Sequence, residues 1–176
     1  MATALDAVPD LSVLVRHIVD THHHFVRQAV PAITRALHHL VDRHAQGHAE
    51  LHRIRQTFAQ LGDELLTHME KEEHILFPYI DELAAAHRGT APFPPSPFGT
   101  IANPVRMMED DHQDALALAA SLRALTHDYT PPPGWSTEDM ACYQALAHFE
   151  ADLHTHVNLE NTVLFPRALD LEDRLA

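Results

Sequence analysis

A stretch that occurs twice limits what this chain can fold into. Glu64-Leu-Leu-Thr-His68-Met-Glu-Lys-Glu72-Glu-His-Ile-Leu-Phe77-Pro78 returns 88 residues later as Asp152-Leu-His-Thr-His156-Val-Asn-Leu-Glu160-Asn-Thr-Val-Leu-Phe165-Pro166. Leu, Thr, His, Glu, Leu, Phe and Pro recur in register, and an acid stands four before the histidine in both copies. Positions i−4, i and i+4 of a helix share one face. Each copy therefore points an acid, an imidazole and a carboxylate the same way. Two such helices facing each other could make a metal site.

The apolar spacing around the copies is helical, and no segment alternates like a strand. Asp10 can cap a first helix, whose stripe runs from Leu11, Leu14 and Ile18 to Val26, Val30, Ile33, Leu37 and Leu40. Pro31 lies inside it and should bend or break it. His44 and Gly47 form a stop signal. A second helix begins near Ala49, carries the first copy, should kink at Pro78 and runs towards Gly89. Residues 90–104 hold five prolines and one glycine and read as a loop. A third helix covers roughly 101–127. Thr130-Pro-Pro-Pro-Gly134 breaks the chain again. Ser136 or Thr137, with Glu138 and Asp139, then caps a fourth helix that carries the second copy and ends near Leu171. This predicts an all-α, antiparallel up-down four-helix bundle, one domain over 1–176 with the bundle at about 10–172.

Composition narrows the partners. Acids outnumber bases 25 to 12, for a formal charge of −13. That argues against nucleic acid or an anionic membrane. The single cysteine, Cys142, excludes an internal disulfide and a thiolate-built metal site. Met1-Ala-Thr-Ala-Leu-Asp6 has no basic region followed by an apolar run, so the chain reads as cytoplasmic. Seventeen histidines are spread from His17 to His156.

Helix geometry decides which of them can meet. At about 1.5 Å per residue, His23 lies roughly 33 Å before the turn near residue 46, and His68 roughly 33 Å after it. In an antiparallel hairpin they are level. His112 and His156 are level across the turn near residue 132 by the same arithmetic, and His112 is 89 residues from His23. One histidine per helix, with Glu72 and Glu160 one turn beyond two of them, can thus converge at one depth. Four imidazoles and two bridging carboxylates without sulfur describe a binuclear site and suit iron, manganese or zinc. Among His22, His23 and His24 only one should point inward. The stripe Val19, His23, Val26, Val30 favours His23, with His22 second. His44 lies about 30 Å along the helix from His23 and falls outside the site on this geometry. Glu64, Asp111 and Asp152 are either hydrogen-bond partners of the histidines, lining of an access path, or solvated acids.

With these residues placed, the chain resembles a known family, the hemerythrin-like di-iron domain of the repair-of-iron-centres (iron–sulfur cluster repair) proteins. The resemblance is carried by His22-His23 with Arg27 and Pro31, by Asp42-Arg-His44-Ala-Gln-Gly-His, and by the two copies through Leu-Phe-Pro. Met108-Glu-Asp-Asp111-His112 and Thr130-Pro-Pro-Pro add to it. It spans about residues 12–171. It implies His23, His68, Glu72, His112, His156 and Glu160 as ligands of two iron ions per chain, oxo- or hydroxo-bridged. Glu64 and Asp111 match acidic positions near the family's site, and His44 matches a family histidine. The implied role is repair of iron–sulfur clusters damaged by nitrosative or oxidative stress, through iron supply to the damaged proteins. Reduction of nitric oxide or peroxide, or binding and sensing of nitric oxide or oxygen, are the alternative expectations. Longer members carry an N-terminal domain with a cysteine pair, which this chain lacks; its expected share of the work is then the metal-site half.

Overall fold

The computed structural model describes residues 10–176. The reading of Met1–Asp6 as free of a leader lies outside them. The described residues contain helices and no strand. Seven α-helices, α1 (Leu11–Ile18), α2 (His24–His44), α3 (Glu50–Lys71), α4 (Phe77–His87), α5 (Ala102–Leu125), α6 (Thr137–Leu159) and α7 (Phe165–Leu175), form four rods. Single π-turns at Val19–His23, Glu72–Leu76 and Glu160–Leu164 join α1 to α2, α3 to α4 and α6 to α7. Rod α5 has no such turn.

The rods close into a ring in which α2 packs on α3, α3 on α5, α5 on α6 and α6 on α2. This is the expected hemerythrin-like bundle. Its interior has three layers. One apolar layer, with Leu37, Ile54, Phe58, Leu122, Leu146 and Phe149, fills the end nearest the α2–α3 turn. A second, with Ile18, Phe77, Ile80, Val105, Leu164 and Phe165, fills the other end. Buried His22, His23, His68, Glu72, His112, His156 and Glu160 lie on the same rods between the residues of the two apolar layers.

Local chemistry accounts for most of the boundaries. Asp10 accepts the Ser12 amide at 2.8 Å and starts α1. Ser136 and Asp139 form a reciprocal capping box at α6. No side chain caps α3, whose first turn follows Ala49. Gly62 lets α3 approach α2 closely, because a Cβ there would lie 2.9 Å from Val30 Cγ1.

Two expectations are corrected. Pro31 does not break its helix, and α2 runs through it. The ring lies on an exposed face, so the Arg27 carbonyl that loses its donor is on the solvent side of the rod. The second rod runs on past Pro78 to His87, with an irregularity just before the proline. The Phe77 amide bonds the Glu72 carbonyl five residues back, and Phe165 does the same to Glu160. Pro78 and Pro166 come next and have no amide to donate, so the irregularity is a π-turn and α-helix resumes. The last helix continues past Leu171 to Leu175, held by the buried Glu172, which accepts from Tyr79 Oη at 2.7 Å and from the Ile101 amide at 3.0 Å.

Candidate metal centre

The Leu-Phe-Pro π-turns place the two glutamates. Each turn begins at its glutamate, and both carboxylates are fully buried. Four imidazole Nε2 atoms surround them. The His23 and His68 Nε2 atoms each lie 3.3 Å from Glu72 Oε2. His156 Nε2 lies 3.1 Å from Glu160 Oε1, and His112 Nε2 3.0 Å from Glu160 Oε2. The cluster resolves into two donor groups, His23 with His156 and His68 with His112, and both groups share Glu72 and Glu160. Within each group all four donor atoms lie within 4.8 Å of one another. The structure thus brings together all six residues singled out by spacing.

The far nitrogens of three of the imidazoles show which face is presented inward. His23 Nδ1 lies 2.6 Å from Glu73 Oε1, which also accepts from Arg27 at 2.8 Å. His112 Nδ1 lies 2.8 Å from Asn161 Oδ1. His68 Nδ1 is 3.4 Å from Asp111 Oδ2, and Lys71 Nζ donates to the same oxygen at 2.9 Å. An oxygen acceptor at Nδ1 selects the tautomer with its proton there, leaving a lone pair on Nε2. Two of those lone pairs face each other, with His68 and His112 Nε2 3.0 Å apart, and that of His23 faces His156 Nε2 at 3.2 Å. They also face carboxylate oxygens. All four oxygens of Glu72 and Glu160 are buried without a hydrogen-bond donor among the described residues. A buried, unpaired carboxylate costs several kcal/mol. Cations between the donors remove the repulsion and the cost together, so the residues fit a pair of metal ions.

The electrostatics agree. Burial opposes the charged form of His68, but the carboxylates of Glu72 and Glu160, with Asp111, outweigh it and raise the imidazole to about 9. Burial likewise opposes charge on His156, and Glu160 and Glu72 raise it. Burial pushes Glu160 up, but His156 and His112 hold it well below the usual range. The raised imidazoles mark a negative potential at their nitrogens that attracts protons or metal cations alike, and the lowered Glu160 stays charged to supply it.

The remaining candidates separate. His22 and His23 are both buried, against the expectation that one alone would point inward. The wider π-turn at Val19–His23 rotates successive side chains less than an α-turn does. His22 stacks on His156 with the rings 5.4 Å apart and parallel, and its Nδ1 lies 2.9 Å from Asp152 Oδ1. Asp152 therefore reaches the cluster only through His22, and His156 Nδ1 has no hydrogen-bond partner among the described residues. Glu64 is exposed and accepts from Gln60 at 2.9 Å. It lines a cavity of about 280 Å³ with Asp63, Thr67, His68, Lys71, Asp111 and Asp114. His44 is elsewhere, stacked on Trp135 at 4.6 Å and 3.1 Å from Asp139 Oδ2.

Sequence reasoning missed Glu73 and Asn161, although a signal existed. They are the residues after Glu72 and Glu160, at the same position of the two copies, and each supports the histidine of a neighbouring rod. Phe77 and Phe165 act in parallel too, stacking on His23 at 5.7 Å and on His112 at 6.0 Å.

Comparison with known proteins accords with this geometry. The chain is 31% identical over 159 residues to the iron-sulfur cluster repair protein YtfE of Citrobacter koseri, covering 90% of this chain and 66% of that protein. It is 32% identical over 163 residues to the protein of the same name from Salmonella paratyphi B, covering 93% and 68%. It thus spans about two thirds of the length of these relatives. The model of the hemerythrin HHE cation binding domain matches residues 14–168, and the chain belongs to that family.

Proposed function

We propose that the cluster holds two iron ions and that the protein serves iron–sulfur cluster repair by supplying iron to damaged cluster proteins. His23 and His156 would hold one ion, His68 and His112 the other, with Glu72 and Glu160 bridging. The observation that carries this reading is the set of four buried carboxylate oxygens, without hydrogen bonds, shared by two pairs of inward-facing imidazoles. Iron so held supplies exchangeable Lewis-acid and one-electron chemistry. The chain's own residues do the rest. Glu73 and Asn161 orient His23 and His112. The apolar layers on either side keep bulk water from the bridging carboxylates. All-nitrogen and oxygen ligation leaves the ions extractable by a cluster protein's thiolates, which are softer donors. The relatives' name supports the same role.

The test is metal analysis of protein purified without added metal, followed by transfer to an apo-cluster protein. About two irons per chain and restored cluster absorbance are expected; a metal-free protein that transfers nothing would sink the reading. A second reading, reduction of nitric oxide with an external reductant, is favoured by the cavity that reaches His68. Sustained nitrous oxide formation under anaerobic turnover would support it.

A further inference from the structure

The internal duplication provides a residue-by-residue control for the cavity beside His68. The offset is 88 residues between rods α3 and α6 and 89 between the His23 and His112 rods. Applying it to the cavity lining gives the matching face beside His156. Asp63 becomes Ala151, Lys71 becomes Leu159, Asp111 becomes His22 and Asp114 becomes Phe25. Of the lining charges, Glu64 alone keeps an acidic counterpart, Asp152, and that carboxylate is bound to His22.

The two faces therefore differ in what they admit. Beside His68, four acids and one lysine surround water-accessible space. Asp111 and Lys71 are both partly exposed, and their ion pair lies against the imidazole. Beside His156, the parallel His22 ring covers the imidazole, which is fully buried. Phe25, in the place of Asp114, packs on Phe149 at 6.1 Å. A metal cation crosses an acid-lined, hydrated opening far more readily than a layer of stacked rings, since desolvating it costs many kcal/mol.

Resting on the two-iron reading above, we infer that the two metal positions are unequal: the His68–His112 position exchanges its ion through the cavity, and the His23–His156 position retains its ion. A protein that supplies iron would then deliver one ion per cycle while keeping the bundle filled by the other.

The experiment starts from protein loaded anaerobically with ferrous iron and shown by metal analysis to hold two per chain. A ferrous chelator is added in excess and release is followed optically. Two phases of equal amplitude are expected. Crystals of the half-stripped protein should keep anomalous density between His23 and His156 and lose it between His68 and His112. Asp63→Ala and Asp114→Phe, which copy the closed face onto the open one and remove two of its negative charges, should slow the fast phase by about tenfold or more, the scale of electrostatic focusing in a charged cleft. Both positions are solvent-facing, and His22→Phe is the control that should leave the fast phase unchanged. Release of both ions in one phase, or retention of density at His68 and His112, would overturn the inequality and leave the two-iron reading intact. Protein that never holds a second iron defeats that reading instead.

Discussion

The first hairpin and the second carry the same motif, yet the structure supports the two copies differently. Glu72 and Glu160 start equivalent π-turns, and Phe77 and Phe165 stack on equivalent histidines. Around that shared core the equivalence ends. His23 is backed by a carboxylate and His112 by an amide. His68 borders an acid-lined cavity, and His156 lies under a second imidazole. Duplication thus preserved the residues that face the centre, where four rods constrain every atom, and released those one layer out, where solvent tolerates substitution.

The largest expected effect tests what is shared. Glu72→Ala and Glu160→Ala should each lose most of the bound iron, because each carboxylate belongs to both donor groups. Full iron content in either variant, by metal analysis, would remove the bridging role. Next come the unequal supports. Glu73→Ala should weaken iron binding by about 10–100-fold, the usual effect of removing a ligand's hydrogen-bond partner. Asn161→Ala should cost less, since a neutral amide polarises its imidazole less than a carboxylate. Equal losses in a competition assay would erase this difference between the halves.

Stability separates the hairpins as well. Gly62 corresponds to Glu150, which is buried and paired with Arg123 at 2.8 Å. Gly62→Ala should destabilise by about 1–3 kcal/mol through its clash with Val30. Val30→Ala should recover part of the loss in denaturant melts. At the start of α6, Ser136→Ala should cost about 1 kcal/mol in the same melts by removing the cap.

The capping box has a pH signature. Burial works against the Asp139 carboxylate, but hydrogen bonds from Ser136 and His44 and the charge of Arg43 bring it down to about 2 from 3.8. Its contribution is complete above the unfolded value near 4 and is lost as pH falls towards 2. Asp139→Asn should flatten that part of the acid-unfolding curve. An unchanged curve would place the acid sensitivity elsewhere.

Much of this was legible in the residues. The bundle follows from apolar spacing and from turn signals at Gly47, residues 90–104 and Thr130–Gly134. The convergence of His23, His68, His112 and His156 follows from counting residues to each turn. The misses have one physical origin. The break expected at Pro31 and the single inward side chain expected at His22–His23 both assumed a regular α-helical repeat. The bundle accommodates them with an exposed proline and with π-turns, which change how side chains are distributed round a rod. Glu73 and Asn161 escaped because they support a histidine on another rod, a contact that no period along one rod reveals.

The sequence by itself determined the fold and the depth at which its histidines and glutamates meet. Helical rise and periodicity are local properties, and a duplicated motif repeats them. Only the tertiary structure decided which side chain stands behind each imidazole and which face opens to water. Those depend on how four rods are rotated against one another, and that rotation is set by packing across the bundle.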